Sequence, residues 1–160
     1  MKNRQYIYQI TSIVLIIDQI VKLLINNKMA LYQQIKIIPK FFTIYYVKNT
    51  GAAFSILEDS TILLTIISVI FIVILDRMIK KEKTFTKLSA ISLGMIMGGI
   101  FGNLIDRIIH HAVIDYLSFQ IFKYEFPVFN IADIGITVGV GLLIISMILE
   151  RKQDVRRNIK

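Results

Sequence analysis

The stretch Thr61–Leu75 reads TILLTIISVIFIVIL and contains no charged residue. It runs into the pair Asp76-Arg77, whose side chains can extend to lipid headgroups and bring the segment close to the roughly 20 residues that a membrane span needs. The whole chain has 160 residues, of which 55% are hydrophobic and 19% charged. We therefore expect one integral membrane domain over residues 1–160 rather than a soluble fold.

Outward from this stretch, apolar segments recur along the chain. They predict four transmembrane helices at about 6–26, 60–79, 88–107 and 131–149. The first segment follows Lys2 and Arg4, as a secretory signal peptide would, but no small-x-small cleavage site comes after it. We interpret it as a retained span.

Two more polar segments, 27–59 and 108–130, are predicted to be loops on the outer side. Phe41–Val47 is rich in aromatic and β-branched residues and predicts a strand in a small sheet or hairpin. The 108–130 segment is dense in Phe and Tyr, which suit the water–lipid interface. The predicted fold is mainly α: four transmembrane helices, a small extracytoplasmic β-rich segment and an interfacial aromatic loop.

The net charge of +8 is explained by Lys and Arg residues that flank the spans. Most of them lie at the N-terminus, in the loop around residues 77–87 and in the C-terminal tail, which predicts that both termini are cytoplasmic. Nucleic-acid binding is not expected, because no basic face with interleaved aromatics is present. The chain has no cysteine, which excludes disulfides, thiolate metal sites and a cysteine nucleophile.

Polar residues of separate segments are predicted to meet in one outer layer of the membrane. Asp18 lies about 18 Å along the first helix, and the others fall at the outer ends of spans or in outer loops. They are Asp18, Asn49, Asp106, Arg107, Asp115 and Asp133. Small residues four apart predict that helices pack closely beside this layer, at Gly94, Gly98 and Gly102 and again at Gly135 and Gly139.

Asp115 and Asp133 are candidates for a catalytic pair. At close approach two carboxyls cannot both ionise cheaply, so one keeps a proton while the other activates a water. The alternative is that Asp133 caps a helix and Asp115 is a loop charge. Spacing alone leaves the two interpretations about equal.

Other polar residues have structural alternatives too. Asp18 and Lys22 are spaced to pair on one helical face. Asp106-Arg107 is interpreted as a salt bridge at a helix end, with anion binding by Arg107 as the alternative. The amides Asn49, Asn103 and Asn130 can orient a substrate backbone or satisfy backbone carbonyls.

His110-His111 resembles a fragment of a metal site. Adjacent histidines diverge on a helix, however, and a catalytic zinc typically needs three protein ligands. We expect no metal and interpret the histidines as interfacial side chains.

As an ordered set, these motifs resemble the lipoprotein signal peptidases (signal peptidase II), a family of aspartic membrane proteases. The resemblance covers nearly the whole chain. The motifs are Asp18-Gln19-x-x-Lys22, Asn49-x-Gly51-Ala52-Ala53-Phe54, Gly98-Gly99-x-x-Gly102-Asn103-x-x-Asp106-Arg107, Val113-x-Asp115-Tyr116 and Phe129-Asn130-x-Ala132-Asp133.

The resemblance implies a multi-pass enzyme of the bacterial cytoplasmic membrane that cleaves prolipoproteins before a diacylglyceryl-modified cysteine. We expect it to be a monomer. It implies membrane lipids as surroundings, inhibition by cyclic peptides of the globomycin type, and no cofactor. Asp115 and Asp133 match the catalytic pair. Residues matching the substrate-binding or supporting positions are Asn49, Gly51, Asn103, Arg107 and Asn130, whereas Asp18, Lys22 and Asp106 match structural polar positions.

One departure from the family pattern is His111, at a position where glycine is common. If the backbone there needs a positive φ, His111 is strained. The rival interpretation from another class is a small proton-coupled transporter, which also uses intramembrane carboxylates. It should show repeated halves and a midplane site, and we find no internal repeat.

Overall fold

The computed structural model describes residues 3–51, 60–82, 84–122 and 124–158. Within them the chain forms four helices and four strands. In order they are α1 (Arg4–Lys28), β1 (Gln34–Ile38), β2 (Phe42–Asn49), α2 (Thr61–Lys81), α3 (Lys87–His110), β3 (Val113–Ile121), β4 (Tyr124–Glu125) and α4 (Ile131–Asn158). Ala52, Ala53 and Phe54 of the second motif lie outside the described residues.

The four helices confirm the predicted mainly-α membrane fold. Each contains a segment long and apolar enough to cross a membrane, within Arg4–Lys28, Thr61–Lys81, Lys87–His110 and Ile131–Lys152. The helices extend past the predicted apolar segments, because charged flanking residues continue the helical hydrogen bonding. α3 ends only at His110, and α4 runs to Asn158.

α3 is the central helix of the bundle. It buries 61% of its most apolar window, against 17–22% for the other three, and packs against α1, α2 and α4. Glycine allows this close approach: a Cβ on Gly98 would lie 2.8 Å from the Thr11 carbonyl oxygen of α1. On α4, a Cβ on Gly139 would lie 2.9 Å from the Ser92 carbonyl oxygen. The predicted glycine seams are therefore helix contacts, as expected for small residues in lipid.

A four-stranded antiparallel sheet, in the order β1-β2-β3-β4, covers one end of the bundle. We call this the sheet end; α1 and α3 finish there, and α2 and α4 begin there. The β1–β2 hairpin confirms the predicted sheet. The 108–130 segment, predicted as an aromatic loop, instead contains the nine-residue strand β3.

β3 forms because its apolar residues pair with a distant partner. Val113 pairs with Asn49 and Asp115 with Val47, and the first four residues of β3 are buried. Further along, the Phe119 ring stacks on Phe42 at 4.7 Å and on Phe129 at 5.8 Å between centroids. The sheet thereby fixes the beginning of β3 beside the first turn of α4.

Candidate active site

Asp115 is held in β3 by two amide side chains. Its carboxyl is 2% exposed. Oδ1 accepts a hydrogen bond from Asn130 Nδ2 at 2.6 Å, and Oδ2 accepts one from Asn49 Nδ2 at 3.0 Å. The Asn49 amide is itself oriented, because its Oδ1 accepts the backbone N–H of Gly51 at 2.9 Å. Asn49 and Gly51 therefore form a turn that aims an N–H donor at Asp115.

Asp133 is the third residue of α4. In the first turn of a helix, the positive end of the helix dipole stabilises a carboxylate. Its Oδ1 accepts from Asn103 Nδ2 at 2.8 Å, and its Oδ2 accepts from the backbone N–H of Asn130 at 3.2 Å. In return, Asn130 Oδ1 accepts the backbone N–H of Asp133 at 2.9 Å. This is a reciprocal cap, so the residue in the capping position is Asn130 and not Asp133.

Asn130 therefore links the two aspartates. It is fully buried, its side-chain N–H contacts Asp115, and its side-chain oxygen and backbone N–H contact Asp133. The N-cap alternative for Asp133 is wrong, because Asn130 occupies that position and Asp133 lies in the first turn of α4. The loop-charge alternative for Asp115 is wrong, since Asp115 lies in a buried strand.

The electrostatics of Asp115 differ from those of an ordinary carboxyl. Burial, and next the negative charge of Asp133, raise the pKa of Asp115 to about 7 from 3.8. Hydrogen bonds from Asn49 and Asn130 and the charge of Lys22 oppose the rise. Near neutral pH, Asp115 can therefore either hold or release a proton, as an acid–base group must.

Both aspartates face one large cavity of about 940 Å³ at the sheet end. Apolar side chains from α3, α4 and the 126–129 segment form much of its wall. Six of the predicted site residues line it: Asn49, Gly51, Asn103, Arg107, Asp115 and Asp133. The arrangement is an apolar chamber with a few convergent polar groups, as small-molecule and peptide sites usually are.

Arg107 contributes a cation to this cavity. It lies close enough to Asp133, Asp115 and Asp106 to feel their charges. Within the part of the chain that the structure describes, its guanidinium makes no hydrogen bond or ion pair, so its donors are available to a ligand. It also lines a smaller cavity of about 240 Å³ with Thr61 and His111.

A buried ionic network lies behind the cavity. Lys22 Nζ is 2.9 Å from Asp18 Oδ2 and 2.8 Å from Asp106 Oδ2. It also donates to Asn103 Oδ1 at 2.9 Å. The predicted Asp18–Lys22 pair is confirmed. The predicted Asp106–Arg107 salt bridge is wrong: consecutive helical residues point in different directions, and Asp106 turns inward to Lys22.

The network also ties the helices to the site. Asp18 Oδ1 accepts the backbone N–H of Ala132 at 2.9 Å, in the first turn of α4. Asp106 Oδ2 accepts the backbone N–H of Ile114 at 3.1 Å, next to Asp115. Each carboxylate thus holds the backbone beside one of the paired aspartates.

Sequence reasoning assigned no role to Gln19, although it stands in the first motif. Its Nε2 lies 3.1 Å from Asp106 Oδ1, 3.2 Å from the Gly102 carbonyl and 3.3 Å from Asp18 Oδ2. A polar amide beside a buried aspartate in an apolar helix was the available signal. Gln19 thus donates to Asp106 Oδ1 and the Gly102 carbonyl, and shares Asp18 Oδ2 with Lys22.

His111 ends α3 in the left-handed region, with φ 54°. The departure noted in the sequence therefore falls where glycine would be unstrained. Among the described residues, no group of three or more His, Asp or Glu side chains is placed to hold a metal ion.

The sequence model of the family described as "Signal peptidase (SPase) II" matches residues 10–149. The chain belongs to the signal peptidase II family. It is 40% identical, over 141 residues, to a protein named lipoprotein signal peptidase from Symbiobacterium thermophilum, covering 88% of this chain and 93% of that protein.

Two solved structures, both described as bacterial membrane enzymes obtained by the in meso method, share the fold of this signal peptidase II family member. The first has a TM-score of 0.84 and 32% identity, over 91% of this chain and 88% of that one. The second has a TM-score of 0.78 and 34% identity, over 87% of this chain and 90% of that one. The chain is therefore a multi-pass membrane protein of a protease family.

Proposed function

We propose that this protein is an aspartic endopeptidase that removes signal peptides from prolipoproteins, cleaving before the diacylglyceryl-modified cysteine. The observation that carries the proposal is the Asn130 bridge between Asp115 and Asp133. It holds two carboxyls on one cavity, and the pKa of one of them is raised to about 7. A pair with one proton supplies both the base and the acid of peptide hydrolysis.

The chemistry needs no group beyond this pair and water. The ionised carboxyl takes a proton from water, and the water oxygen forms a bond to the scissile carbonyl carbon. The protonated carboxyl gives its proton to the carbonyl oxygen. The tetrahedral intermediate then collapses: one hydroxyl returns its proton to the carboxylate that had donated one, the carbon–nitrogen bond breaks, and the other carboxyl gives its proton to the departing amine of the cysteine.

The other polar groups of the cavity suit an extended peptide. Arg107 offers N–H donors to substrate carbonyls or to the oxygen that gains charge in the transition state. The apolar wall suits the acyl chains of the modified cysteine, whose burial would stabilise the complex by ~0.8 kcal/mol per CH₂ group. A lipid-anchored substrate would reach the cavity within the membrane plane.

Topology supports cleavage on the outer side. Lys and Arg concentrate at the two termini and in the loop joining α2 to α3, which lie opposite the sheet end. Since basic flanks favour the cytoplasm, both termini would be cytoplasmic and the aspartates would lie near the outer surface. That is the side on which a translocated lipoprotein is exposed.

The test uses the purified protein in lipid vesicles with a diacylglyceryl-modified prolipoprotein and with the same chain unmodified. We expect mass spectrometry to find one cut, immediately before the modified cysteine, and little cutting of the unmodified chain. A globomycin-type peptide should inhibit, and a chelator should not. A cut elsewhere, or activity that a chelator removes and zinc restores, would contradict the proposal.

The transporter alternative is less well supported. The carboxyls lie at helix ends and in a strand rather than midway along the helices, and the family match is to a peptidase. Proton flux through the same vesicles without substrate would favour the transporter.

A further inference from the structure

The buried Lys22 ammonium contacts Asn103, a residue that lines the active-site cavity. Besides Asp18 and Asp106, it donates to Asn103 Oδ1 at 2.9 Å. The other end of the same amide, Asn103 Nδ2, donates to Asp133 Oδ1 at 2.8 Å. One amide group therefore lies between a buried cation and one of the two aspartates.

The chemistry of these contacts fixes which way the amide points. Asn103 Oδ1 also receives Asn130 Nδ2 at 3.2 Å, so both of its neighbours are donors. Turning the amide around would set its N–H group against the Lys22 ammonium and its oxygen against Asp133. Lys22, which carries the only full positive charge among these three contacts, is thus the strongest donor that opposes the reversed amide, which the contacts with Asn130 and Asp133 also oppose.

We propose that Lys22 is a positioning residue of the aspartate pair: by orienting Asn103, it makes Asp133 the ionised partner and leaves the proton on Asp115. The inference rests on the proposed function, in which one carboxyl of the pair is the base and the other the acid. It assigns the base to Asp133 and the acid to Asp115.

The surroundings of the two carboxyls differ in the direction this assignment needs. Asp133 faces the oriented Asn103 amide and a backbone N–H, and it occupies the first turn of α4, where negative charge is favoured. Asp115 is 2% exposed and lies in a strand rather than in the first turn of a helix. Burial, the main cause of its raised pKa, favours the protonated form.

Other charged or titratable groups face the pair from each neighbouring element. Arg107 on α3 and Tyr116 on β3 interact electrostatically with both carboxyls, so they do not by themselves separate Asp133 from Asp115. The remaining groups are Asp18 and Lys22 on α1, Tyr46 on β2, Asp106 on α3, and Lys48 on β2, which lines the same cavity.

A purely structural role for Lys22 predicts something different. In that case its loss would lower stability and overall activity without moving the pH dependence. Replacing Lys22 alone would leave two buried carboxylates without their cation, which is strongly destabilising. The informative variant is therefore Lys22→Met combined with Asp106→Asn, which keeps the net charge of the buried cluster unchanged.

The control is Asp106→Asn alone, which breaks the Lys22–Asp106 pair but leaves the ammonium on Asn103. In the double variant, the acidic midpoint of the kcat/KM profile should rise by about one pH unit. The reason is that Asp133 loses the oriented N–H donor of Asn103, which favours its ionised form. The single variant should not raise it. A double variant that is folded and active with the native acidic midpoint overturns the proposal.

A second measurement does not depend on folding of the double variant or on activity. Infrared spectra near pH 6 report a protonated buried carboxyl by its C=O stretch. The band should persist in Asp133→Asn, because Asp115 remains buried, and should be lost in Asp115→Asn. The reverse pattern overturns the assignment.

The two proposals fail in distinguishable ways. If Asp115→Asn and Asp133→Asn both retain cleavage, the aspartic mechanism is wrong. If both abolish cleavage while the double variant keeps the native pH profile, only the role of Lys22 is wrong.

Discussion

Replacing Asn49 with leucine should move the alkaline limb of the pH–activity profile upward. Asn49 Nδ2 donates to Asp115 Oδ2 at 3.0 Å, and its orientation is fixed by the Gly51 N–H. This hydrogen bond is one of the influences that lower the pKa of Asp115. Leucine is similar in size and donates nothing, so the ionised form of Asp115 loses a stabilising contact.

The size of the effect follows from the contact. A hydrogen bond to a charged group contributes roughly 1.5–3 kcal/mol. Part of that remains in the variant, because Asn130 still donates to the same carboxyl. A net loss of ~1.4 kcal/mol corresponds to about one pH unit. The pKa of Asp115, about 7 in the native protein, should therefore rise by about that amount.

The assay is kcat/KM for a lipidated prolipoprotein in vesicles from about pH 5 to pH 10. If Asp115 is the acid, the alkaline midpoint reports loss of its proton and should move up in Asn49→Leu, whatever happens to the maximal rate. Asn26→Leu is a matched control, because its amide accepts from the Tyr46 hydroxyl at 2.6 Å and does not line the cavity. An alkaline midpoint that stays in place or moves down in folded Asn49→Leu would refute the reasoning.

Three further substitutions test the fold and its electrostatics. Asp115→Asn should gain free energy of unfolding relative to the native protein as pH rises from about 4 to about 7, by up to about 4 kcal/mol in total. Over that range the Asp115 carboxyl is ionised in the unfolded chain but still protonated in the folded one, where its pKa is about 7, so the native protein loses stability as pH rises. A difference between their melting temperatures that is constant with pH would count against this. His111→Gly should raise the melting temperature slightly. Glycine at φ 54° avoids a backbone strain of about 1–2 kcal/mol, which exceeds the entropic cost of glycine. A lower melting temperature in the variant would contradict the idea that His111 is strained. Gly98→Val should destabilise by about 1–3 kcal/mol because its Cβ would meet Thr11, whereas Gly141→Val, with nothing within 4 Å, should not.

Sequence pattern was sufficient for the helices and for much of the polar clustering. Long apolar runs ending in charges have few folded alternatives in a membrane, and glycines four apart mark where such helices touch. The Asp18–Lys22 pair was predictable because both residues lie on one helix at a fixed spacing.

Contacts between elements distant in the chain were not predictable in the same way. β3 depends on pairing with β2, more than 60 residues earlier, and no local pattern in the aromatic 108–130 segment specifies that partner. The ion-pair partner of Asp106 depends on which side of α3 faces α1. The sequence shows only that Arg107 is adjacent in the chain, whereas the structure pairs Asp106 with Lys22 of α1. The cap by Asn130 is local, but its contact with Asp115 needs the sheet in place.

The central claim is that Asp115 and Asp133 together carry out the hydrolysis. Its most direct test is the cleavage rate of a lipidated prolipoprotein by Asp115→Asn and by Asp133→Asn, with Asp76→Asn as the control. Asp76 pairs with Lys80 toward the opposite end of α2 and does not line the cavity. Each site variant should lose at least about 10³-fold in rate while remaining folded, and the control should keep its rate. Native-like cleavage by either site variant would contradict the claim.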